Sequence, residues 1–585
     1  MQRIPYIEPL RLMPSIDINV VVGGEAGAGV LVAGTVLAKT CVRSGLYTYV
    51  MNEYPSIIRG GHVWCSVRIC DRKVYSQKYS IDILIALNEE TIERHHDRLN
   101  ERGVVIVDEE TSRLPLNDLR VLKVPLTKIT REVGGQQVMR NSVAVGAAAA
   151  LLNLDIQVLS QVILDTFRKE IAKINVELAR KGYEYVKNSG ISQTSLIISR
   201  SQSSNKTLIL TGNDAIALGA IKAGMTFYAA YPMTPASPIL HFLATFQKEY
   251  DIVVLQPESE IAAINMVIGA AYAGARAMTA TSGGGFSLMT EALGQAAMTE
   301  VPVVIVVAQR PGPSTGLPTY TAQGDLMFVL HASQGEFPRV VIAPGDVDEA
   351  FYLTIEAFNI AEKFQVPVII LTDKHLAESC MTTEEFDESK IKIDRGELIV
   401  GEYRGDEPYK RYKITETGVS PRAIPGTRNA IVKANTSEHD EYGFGTTVPS
   451  KVKAMVDKRF RKMKYIEEYV YGLEPIKTYG DGDILLITWG SPKGAILEAM
   501  RDLNKEGIKT KLAQIVFLEP FPAETLKNIL QEASKVILIE NNKTAILNML
   551  LNQYLHVDVK EKLLKYDGRP FYPHEISEKV KSVIE

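Results

Sequence analysis

Short apolar runs alternate with longer amphipathic stretches along most of the chain, and they form three separate blocks. The first block opens with an apolar run over residues 16–22, a glycine-rich turn, and helical periodicity over residues 30–42. A strand, a glycine turn and a helix in this order start a βαβ unit. Later runs in the block predict two more strands and then helices. They cover residues 81–87, 103–107, 142–152 and 156–180.

The second and third blocks repeat this alternation. The second runs from an apolar strand at residues 207–211 to another at residues 368–371. Its other predicted strands cover residues 227–230, 252–255, 276–280 and 303–307. The third block opens with the apolar run at residues 484–490 and alternates helix and strand through residues 537–540. Strands that alternate with helices favour parallel sheets.

Three serial α/β domains with mainly parallel sheets are therefore predicted, over residues 14–187, 207–386 and 480–585. Residues 188–206 are rich in Ser, Asn and Gln, which is typical of a linker. Residues 387–479 are charged and poor in periodicity, which predicts an irregular connecting or interface segment.

Composition narrows the class of protein. Of 585 residues, 46% are hydrophobic and 23% charged, and the net charge of -4 carries no sign of a nucleic-acid or membrane-surface partner. The apolar run at residues 301–308 is too short for a bilayer span, and the opening residues lack a leader pattern, so a cytoplasmic protein is expected. The four cysteines contain no CxxC pair, so no metal site is predicted and any iron-sulfur cluster belongs to another chain.

The glycine loop of the first block, Gly24-x-x-Gly27-x-Gly29, has two interpretations. Glycines let backbone amides approach a phosphate at the start of a helix, but a tight strand-to-helix crossover needs glycine equally. The spacing differs from the GxGxxG dinucleotide fingerprint, although Glu53 follows at a position that could imitate its ribose-binding acid. The nearby Arg59-Gly60-Gly61 could bind an anion or form an exposed turn.

The second block contains the strongest candidates for chemistry. Three prolines between Tyr231 and Pro238 predict a rigid loop after a strand. Glu260 follows Ser259, which can cap the next helix, so the glutamate is either a first-turn acid that complements the helix dipole or a catalytic carboxylate. Arg310 follows the strand at residues 303–307, where parallel sheets place ligands, and is either a carboxylate-binding arginine or a surface charge.

These motifs together resemble one enzyme family. Residues 23–29 (Gly-Gly-Glu-Ala-Gly-Ala-Gly) and 53–61 (Glu-Tyr-Pro-Ser-Ile-Ile-Arg-Gly-Gly) resemble the gamma domain of the 2-oxoacid:ferredoxin oxidoreductases. Four further motifs resemble the pyrimidine-binding domain of the same family, in the family's order. They are Tyr-Pro-Met-Thr-Pro-Ala-Ser (231–237), Glu-Ser-Glu (258–260), Thr-Ser-Gly-Gly-Gly-Phe-Ser (281–287) and Arg-Pro-Gly-Pro-Ser-Thr-Gly (310–316). The last block resembles the carboxy-terminal domain of transketolase-like enzymes, which serves mainly in structure and assembly.

The resemblance implies roles for individual residues. Thr234 and Arg310 would bind the carboxylate of the 2-oxoacid, Thr319 would line the same pocket, and Glu260 would activate thiamine diphosphate. Tyr231 and Pro232 would lie against the cofactor. In the gamma domain, the three glycines of the loop and Arg59 would contact coenzyme A.

The resemblance also implies that this chain is an alpha subunit of the fused gamma-alpha type and that part of the site lies elsewhere. A Gly-Asp-Gly stands at residues 480–482 and an Asn-Asn at 541–542, but they lie some sixty residues apart. Because the family's diphosphate motif has about half that spacing, the Gly-Asp-Gly is interpreted as a turn. Mg²⁺ and a [4Fe-4S] cluster are then expected on a smaller beta subunit, in a heterodimer that passes electrons to ferredoxin.

The implied reaction is coenzyme A-dependent oxidative decarboxylation of a 2-oxoacid to acyl-CoA and CO2. Two alternatives stay open from the residues alone. The glycine loop could belong to a nucleotide-dependent dehydrogenase, or the chain could be a catalytically silent scaffold subunit.

Overall fold

The computed structural model describes residues 16–56, 60–110, 120–189 and 207–585. Arg59 and the predicted linker from residue 190 onward lie outside these ranges. The described chain forms two compact units. The first comprises residues 16–50, 60–74, 78–110, 120–189 and 207, and the second comprises residues 51–56, 75–77 and 208–585. The domain boundaries assigned from the sequence stay predictions.

The first unit is built on a mixed sheet with helices. Its strands are β1 (Asp17–Glu25), β2 (Tyr47–Glu53), β3 (His62–Cys70), β4 (Ile81–Ala86), β5 (Leu99–Asp108) and β6 (Arg120–Val124), with the end of β2 lying in the second unit. Its helices are α1 (Val30–Arg43), α2 (Glu89–His95), α3 (Leu126–Glu132), α4 (Arg140–Leu151), α5 (Ile156–Thr166) and α6 (Lys169–Asn188). The strands lie in the order β6-β5-β4-β1-β3-β2. All pairings from β6 to β1 are parallel, and β1 pairs with β3 antiparallel.

The single helical stretch predicted at residues 156–180 is in fact two helices. Phe167 and Arg168 both have extended backbone conformations between α5 and α6. Apolar periodicity continues across this break because both helices bury one face, so the pattern alone does not reveal the interruption.

The second unit contains the elements from β7 onward, apart from Thr207. Its strands up to residue 423 are β7 (Thr207–Thr211), β8 (Phe227–Ala229), β9 (Val253–Leu255), β10 (Ala277–Thr281), β11 (Val303–Gln309), β12 (Val340–Ile342), β13 (Pro367–Asp373), β14 (Cys380–Glu384), β15 (Leu398–Ile399) and β16 (Arg422–Ala423). Its helices to that point are α7 (Gly212–Lys222), α8 (Ser237–Phe246), α9 (Glu260–Tyr272), α10 (Gly283–Met298), α11 (Leu326–His331), α12 (Val347–Phe364) and α13 (Lys374–Glu378).

The remainder of this unit carries another sheet. The strands are β17 (Ile476–Tyr479), β18 (Ile484–Trp489), β19 (Thr510–Ile515), β20 (Phe517–Glu519), β21 (Lys535–Glu540) and β22 (Glu561–Leu564). The helices are α14 (Pro449–Tyr471), α15 (Pro492–Lys505), α16 (Ala523–Gln531), α17 (Ile546–Leu555) and α18 (Pro573–Ile584).

Two sheets of the second unit share one hydrophobic core. Their strand orders are β20-β12-β13-β11-β10-β8-β9 and β17-β19-β18-β21-β22. Apart from β20 and β17, which pair antiparallel with β12 and β19, neighbours within these sheets are parallel. Phe286 and Val307 from the one side and Trp489 and Leu538 from the other belong to the same buried cluster. The predicted class, α/β with mainly parallel sheets, is confirmed.

Helix α14 lies within the segment that was predicted to be irregular, and in this respect the prediction was wrong. Along its 23 residues the buried side chains include Lys458, Arg459 and Lys462, so hydrophobic periodicity is weak. Glu300 lies between the two lysines, with Nζ–Oε distances of 2.7 Å to Lys458 and 2.5 Å to Lys462. The buried face of this helix therefore combines apolar side chains, among them Ile466 and Val470, with charged side chains that pair with Glu300.

Within the described ranges, none of the helices combines the length and apolar character needed to cross a lipid bilayer.

Candidate active site

Glu260 is the first residue of α9, and its carboxylate is buried. Ser259 caps the helix by accepting a hydrogen bond from the Ala262 amide at 3.2 Å. Only 3% of Glu260 is exposed, and its Oε1 accepts no hydrogen bond from any described residue. A helix-dipole role explains a first-turn acid that is exposed to solvent. It does not explain a buried oxygen without a donor, which costs free energy until a ligand satisfies it.

The glycine motif after β10 makes room for this carboxylate. A Cβ atom at Gly285 would lie 2.7 Å from Glu260 Oε1 and 2.1 Å from Thr281 Oγ1. Carbon atoms do not approach oxygen this closely, so only glycine fits beside Glu260. At the neighbouring Gly284 a Cβ would meet nothing within 4 Å. Glu260 therefore requires glycine at the third position of the motif, Gly285, and not at the second, Gly284.

The proline-rich loop lies between β8 and α8. The Pro235 carbonyl accepts a hydrogen bond from Asn213 Nδ2 at 2.9 Å, and the Thr234–Pro235 peptide is cis. Tyr231 is 39% exposed at the start of the loop, with Pro232 after it partly buried. The predicted loop after the strand is thus present, and it is bonded to α7 through Asn213.

Arg310 reaches this loop from the end of β11. Its Nη1 donates to the Thr234 carbonyl oxygen at 2.8 Å, which brings the two predicted carboxylate-binding residues together. Burial lowers the pKa of Arg310, while nearby Asp325 raises it. Burial raises the pKa of Asp325 to about 6, against the opposing effect of Arg310. The sequence analysis missed Asp325, the acidic neighbour of the arginine.

Thr319 begins a segment of alternating buried polar side chains, which we call the 319–325 segment. Its Oγ1 donates to the Tyr54 carbonyl oxygen at 2.7 Å, and it is 4% exposed. Tyr54 in turn donates through its hydroxyl to Glu378 at 2.8 Å, and Lys374 Nζ donates to the Asn52 carbonyl at 2.7 Å. Burial first, and Glu378 second, raise the pKa of Tyr54.

Residues 51–56 belong to the same compact unit as these side chains. The Glu-Tyr-Pro part of the gamma-like motif therefore contacts a predicted substrate-binding residue, which the sequence did not indicate. Glu53 pairs with Arg569 at 2.9 Å instead of standing free as a ribose-binding acid.

The glycine loop of the first unit gives a mixed result. A Cβ at Gly29 would lie 2.2 Å from Asn141 Nδ2, so packing requires glycine there, whereas a Cβ at Gly24 would make only a tight contact of 3.2 Å with Leu87 Cβ. Gly27 has φ 97°, and a Cβ there would meet nothing within 4 Å. Packing therefore accounts fully for Gly29 and in part for Gly24, and of the three glycines only Gly27 borders open space. Contact with coenzyme A stays a prediction, as does the role of Arg59.

The Gly-Asp-Gly at residues 480–482 forms the turn between β17 and β18, as predicted. Asp481 is exposed and lies 3.5 Å from Lys509. The Asn-Asn pair is engaged elsewhere, since Asn541 and Asn542 both bond Gln323. Among the described residues, no cluster of three or more His, Cys, Asp or Glu side chains is arranged to hold a metal ion.

Profiles of three protein families match the chain. One described as "Pyruvate flavodoxin/ferredoxin oxidoreductase, thiamine diP-bdg" covers residues 218–458. "Pyruvate ferredoxin/flavodoxin oxidoreductase" covers residues 19–185, and "Pyruvate:ferredoxin oxidoreductase core domain II" covers residues 482–576.

Whole-length relatives agree with the profiles. The 2-oxoacid:ferredoxin oxidoreductase subunit alpha of a Sulfolobus species is 35% identical over 96% of this chain and 96% of its own length. This chain belongs to the 2-oxoacid:ferredoxin oxidoreductase family. The 2-oxoglutarate oxidoreductase subunit KorA of Mycobacterium tuberculosis is 31% identical over 97% of this chain and 92% of its own length.

A solved member of the oxidoreductase family has the same fold. The 2-oxoglutarate:ferredoxin oxidoreductase from Magnetococcus marinus, with 2-oxoglutarate, coenzyme A and succinyl-CoA bound, superimposes with a TM-score of 0.89 at 33% identity. The match covers 97% of this chain and 100% of that one. Membership in the 2-oxoacid:ferredoxin oxidoreductase family supports neither of the two alternatives, a nucleotide-dependent dehydrogenase or a catalytically silent scaffold subunit.

Proposed function

We propose that this chain supplies the substrate-binding and cofactor-activating half of a coenzyme A-dependent 2-oxoacid:ferredoxin oxidoreductase, which yields acyl-CoA and CO2. The observation that carries the proposal is Glu260, a buried carboxylate whose Oε1 lacks a donor among the described residues. It lies within the region that matches the thiamine diphosphate-binding profile.

Glu260 has the chemistry to hold a thiamine pyrimidine ring. A carboxylate that hydrogen-bonds a pyrimidine nitrogen helps the neighbouring exocyclic amine to give up a proton. Thiamine diphosphate, when bound, would supply the carbon nucleophile that attacks the 2-oxoacid carbonyl. Tyr231 and Pro232 begin the rigid loop on the Arg310 side, and in the proposal they lie against the cofactor.

The carboxylate of the 2-oxoacid would bind Arg310. The guanidinium is held by the Thr234 carbonyl, so its orientation is set before the substrate arrives. Thr234 and Thr319 complete the pocket in this proposal. The 2-oxoglutarate in the Magnetococcus marinus relative supports a 2-oxoacid as the ligand class.

A smaller beta subunit would complete the site with Mg²⁺, the diphosphate pocket and a [4Fe-4S] cluster. The helices beside Glu260 expose apolar side chains suited to a protein partner, namely Ile261 at 52%, Leu288 at 50% and Met266 at 40%. Ferredoxin would accept the electrons, and the glycine loop and Arg59 would contact coenzyme A. We place the complex, a heterodimer, in the cytoplasm, where cysteine thiols stay reduced.

The test substitutes Glu260 in the assembled complex. Glu260→Gln keeps the size of the side chain but removes its negative charge, and 2-oxoacid-dependent dye reduction should fall by at least about 10²-fold. Glu258→Gln, an exposed residue of the same Glu-Ser-Glu motif, is the matched control and should leave turnover within about twofold of the wild type. Equal turnover of the two variants with both folded would remove Glu260 from this role.

A further inference from the structure

The 319–325 segment is the last part of the connection from β11 to α11 and has little regular structure of its own. Its buried polar side chains occur at every second position, at Thr319, Thr321 and Gln323, and each bonds a different neighbour. Thr319 bonds the backbone of Tyr54, and Thr321 bonds Asp373 at 3.1 Å. A segment without ladder hydrogen bonds takes its position from contacts such as these.

Gln323 makes the most complete set of these contacts, and they go to Trp489 at the end of β18 and to Asn541 and Asn542 directly after β21. It is fully buried. Its Nε2 donates to the Trp489 carbonyl at 2.8 Å, and its Oε1 accepts from the Asn541 amide at 2.9 Å. Its backbone amide donates to the Asn541 carbonyl at 2.7 Å, and its backbone carbonyl accepts from Asn542 Nδ2 at 3.2 Å.

A second loop in the carboxy-terminal part of the chain, at residues 568–569, contacts Tyr320 and Thr321. The Thr321 amide donates to the Gly568 carbonyl at 3.0 Å. The Arg569 guanidinium lies 4.2 Å from the centre of the Tyr320 ring. The 319–325 segment is therefore held by contacts with residues 541–542, with residues 568–569 and with Tyr54.

The segment also reaches Arg310. The Asp325 amide donates to Gln309 Oε1 at 2.9 Å, and Gln309 directly precedes the arginine. Asp325 is also the acidic neighbour that raises the pKa of Arg310, against the larger lowering caused by burial. A displacement at Gln323 would thus act in both directions along the segment, on Thr319 and on the surroundings of Arg310.

We propose that Gln323 is a positioning residue for 2-oxoacid binding, through which the carboxy-terminal part of the chain holds the substrate pocket in place. The inference rests on the proposed function, because it takes Arg310 and Thr319 as the substrate-binding residues. It assigns to the third domain a role in substrate affinity, beyond the structural and assembly role expected from the sequence.

The test compares two substitutions that each remove a contact between the same parts of the molecule. Gln323→Met keeps the volume and removes both amide hydrogen bonds. Lys477→Met removes the 3.0 Å pair between Lys477 and Glu349, which also joins β17 to α12 but does not touch the segment. In the assembled complex, Gln323→Met should raise the KM for the 2-oxoacid about tenfold and leave the KM for coenzyme A within about twofold. Lys477→Met should change neither.

Gln323→Glu supplies a readout that a loss of packing would not produce. Its protonated carboxyl can donate to the Trp489 carbonyl and accept from the Asn541 amide, whereas the ionised form places a negative charge against that carbonyl. The KM of this variant should be near the wild-type value at low pH and should rise with pH more steeply than that of the wild type. If Gln323→Met does not fold, the pH dependence of the KM of Gln323→Glu still tests the proposal.

Turnover of the wild-type complex is measured first, so that a failure of the proposed function can be distinguished from a failure of the positioning role of Gln323. A wild type without 2-oxoacid turnover would refute the proposed function. An active wild type together with an unchanged KM in Gln323→Met, or a pH-independent KM ratio in Gln323→Glu, would refute the positioning role alone.

Discussion

Gly285→Ala tests whether the third glycine of the Thr-Ser-Gly-Gly-Gly motif exists to accommodate Glu260. The added methyl group would lie 2.7 Å from Glu260 Oε1, 2.9 Å from its Cγ and 2.1 Å from Thr281 Oγ1. Comfortable contacts between such atoms are about 3.5 Å, so the glutamate would have to move by roughly 1 Å. All three groups are buried, and none can swing into solvent.

Two magnitudes follow from this geometry. Insertion of a methyl group into a packed interior costs about 1–3 kcal/mol of unfolding free energy. A displacement of about 1 Å at a catalytic group can lower the rate on the order of 10²-fold. The expected result is therefore a modest loss of stability together with a large loss of kcat.

Gly284→Ala provides the matched control, because it adds the same methyl group one residue earlier in α10 where nothing lies within 4 Å. Alanine is the better helix former by about 1 kcal/mol, so this variant should be as stable as the wild type or slightly more so. Turnover is followed as 2-oxoacid-dependent reduction of a viologen dye by the complex, and stability by urea unfolding. If Gly285→Ala turned over as fast as Gly284→Ala, catalysis would not depend on the space that Gly285 leaves for Glu260, and the reasoning would be refuted.

Two further substitutions test the substrate arginine and the buried charges. Arg310→Lys keeps a charge but loses the planar fork, so the KM for the 2-oxoacid should rise about 10- to 100-fold while the KM for coenzyme A does not change; an unchanged KM in steady-state assays would exclude Arg310 from carboxylate binding. Burial lowers the pKa of Lys458 to about 7, below its value of about 10.4 in the unfolded chain. Between these values the unfolded state binds more protons, so this lysine makes stability rise with pH by up to about 1.4 kcal/mol per pH unit. Urea unfolding between pH 7 and pH 9 should therefore show a smaller rise for Lys458→Met than for the wild type, and parallel pH profiles would contradict the assignment.

Strands that are buried on both faces read as continuous apolar runs, and these the sequence predicted well. Residues 303–307 and 368–371 are examples, and they lie within β11 and β13. Helix α14 was not predicted because Lys458 and Lys462, four residues apart, are buried at positions where apolar residues are expected. Counted as buried positions, they continue the spacing set by Ile466 and Val470.

Candidate site residues could be named where a motif resembles one of a known family. Thr234 and Arg310 lie in two such motifs and were named through the resemblance, and the structure joins them by a hydrogen bond. The contact between Thr319 and Tyr54 joins residues 265 positions apart, and no local pattern indicates such a pairing. The alternation of Thr319, Thr321 and Gln323 was visible in the sequence as polar residues at every second position, and it could have directed attention to this segment.

The most direct test of the proposed function is an anaerobic assay of this chain co-expressed with its smaller partner subunit. Reduction of a low-potential viologen dye is followed with a panel of 2-oxoacids, with and without coenzyme A. We expect reduction that requires both the 2-oxoacid and coenzyme A. No reduction by a complex that contains thiamine diphosphate and an intact iron-sulfur cluster would contradict the assigned reaction.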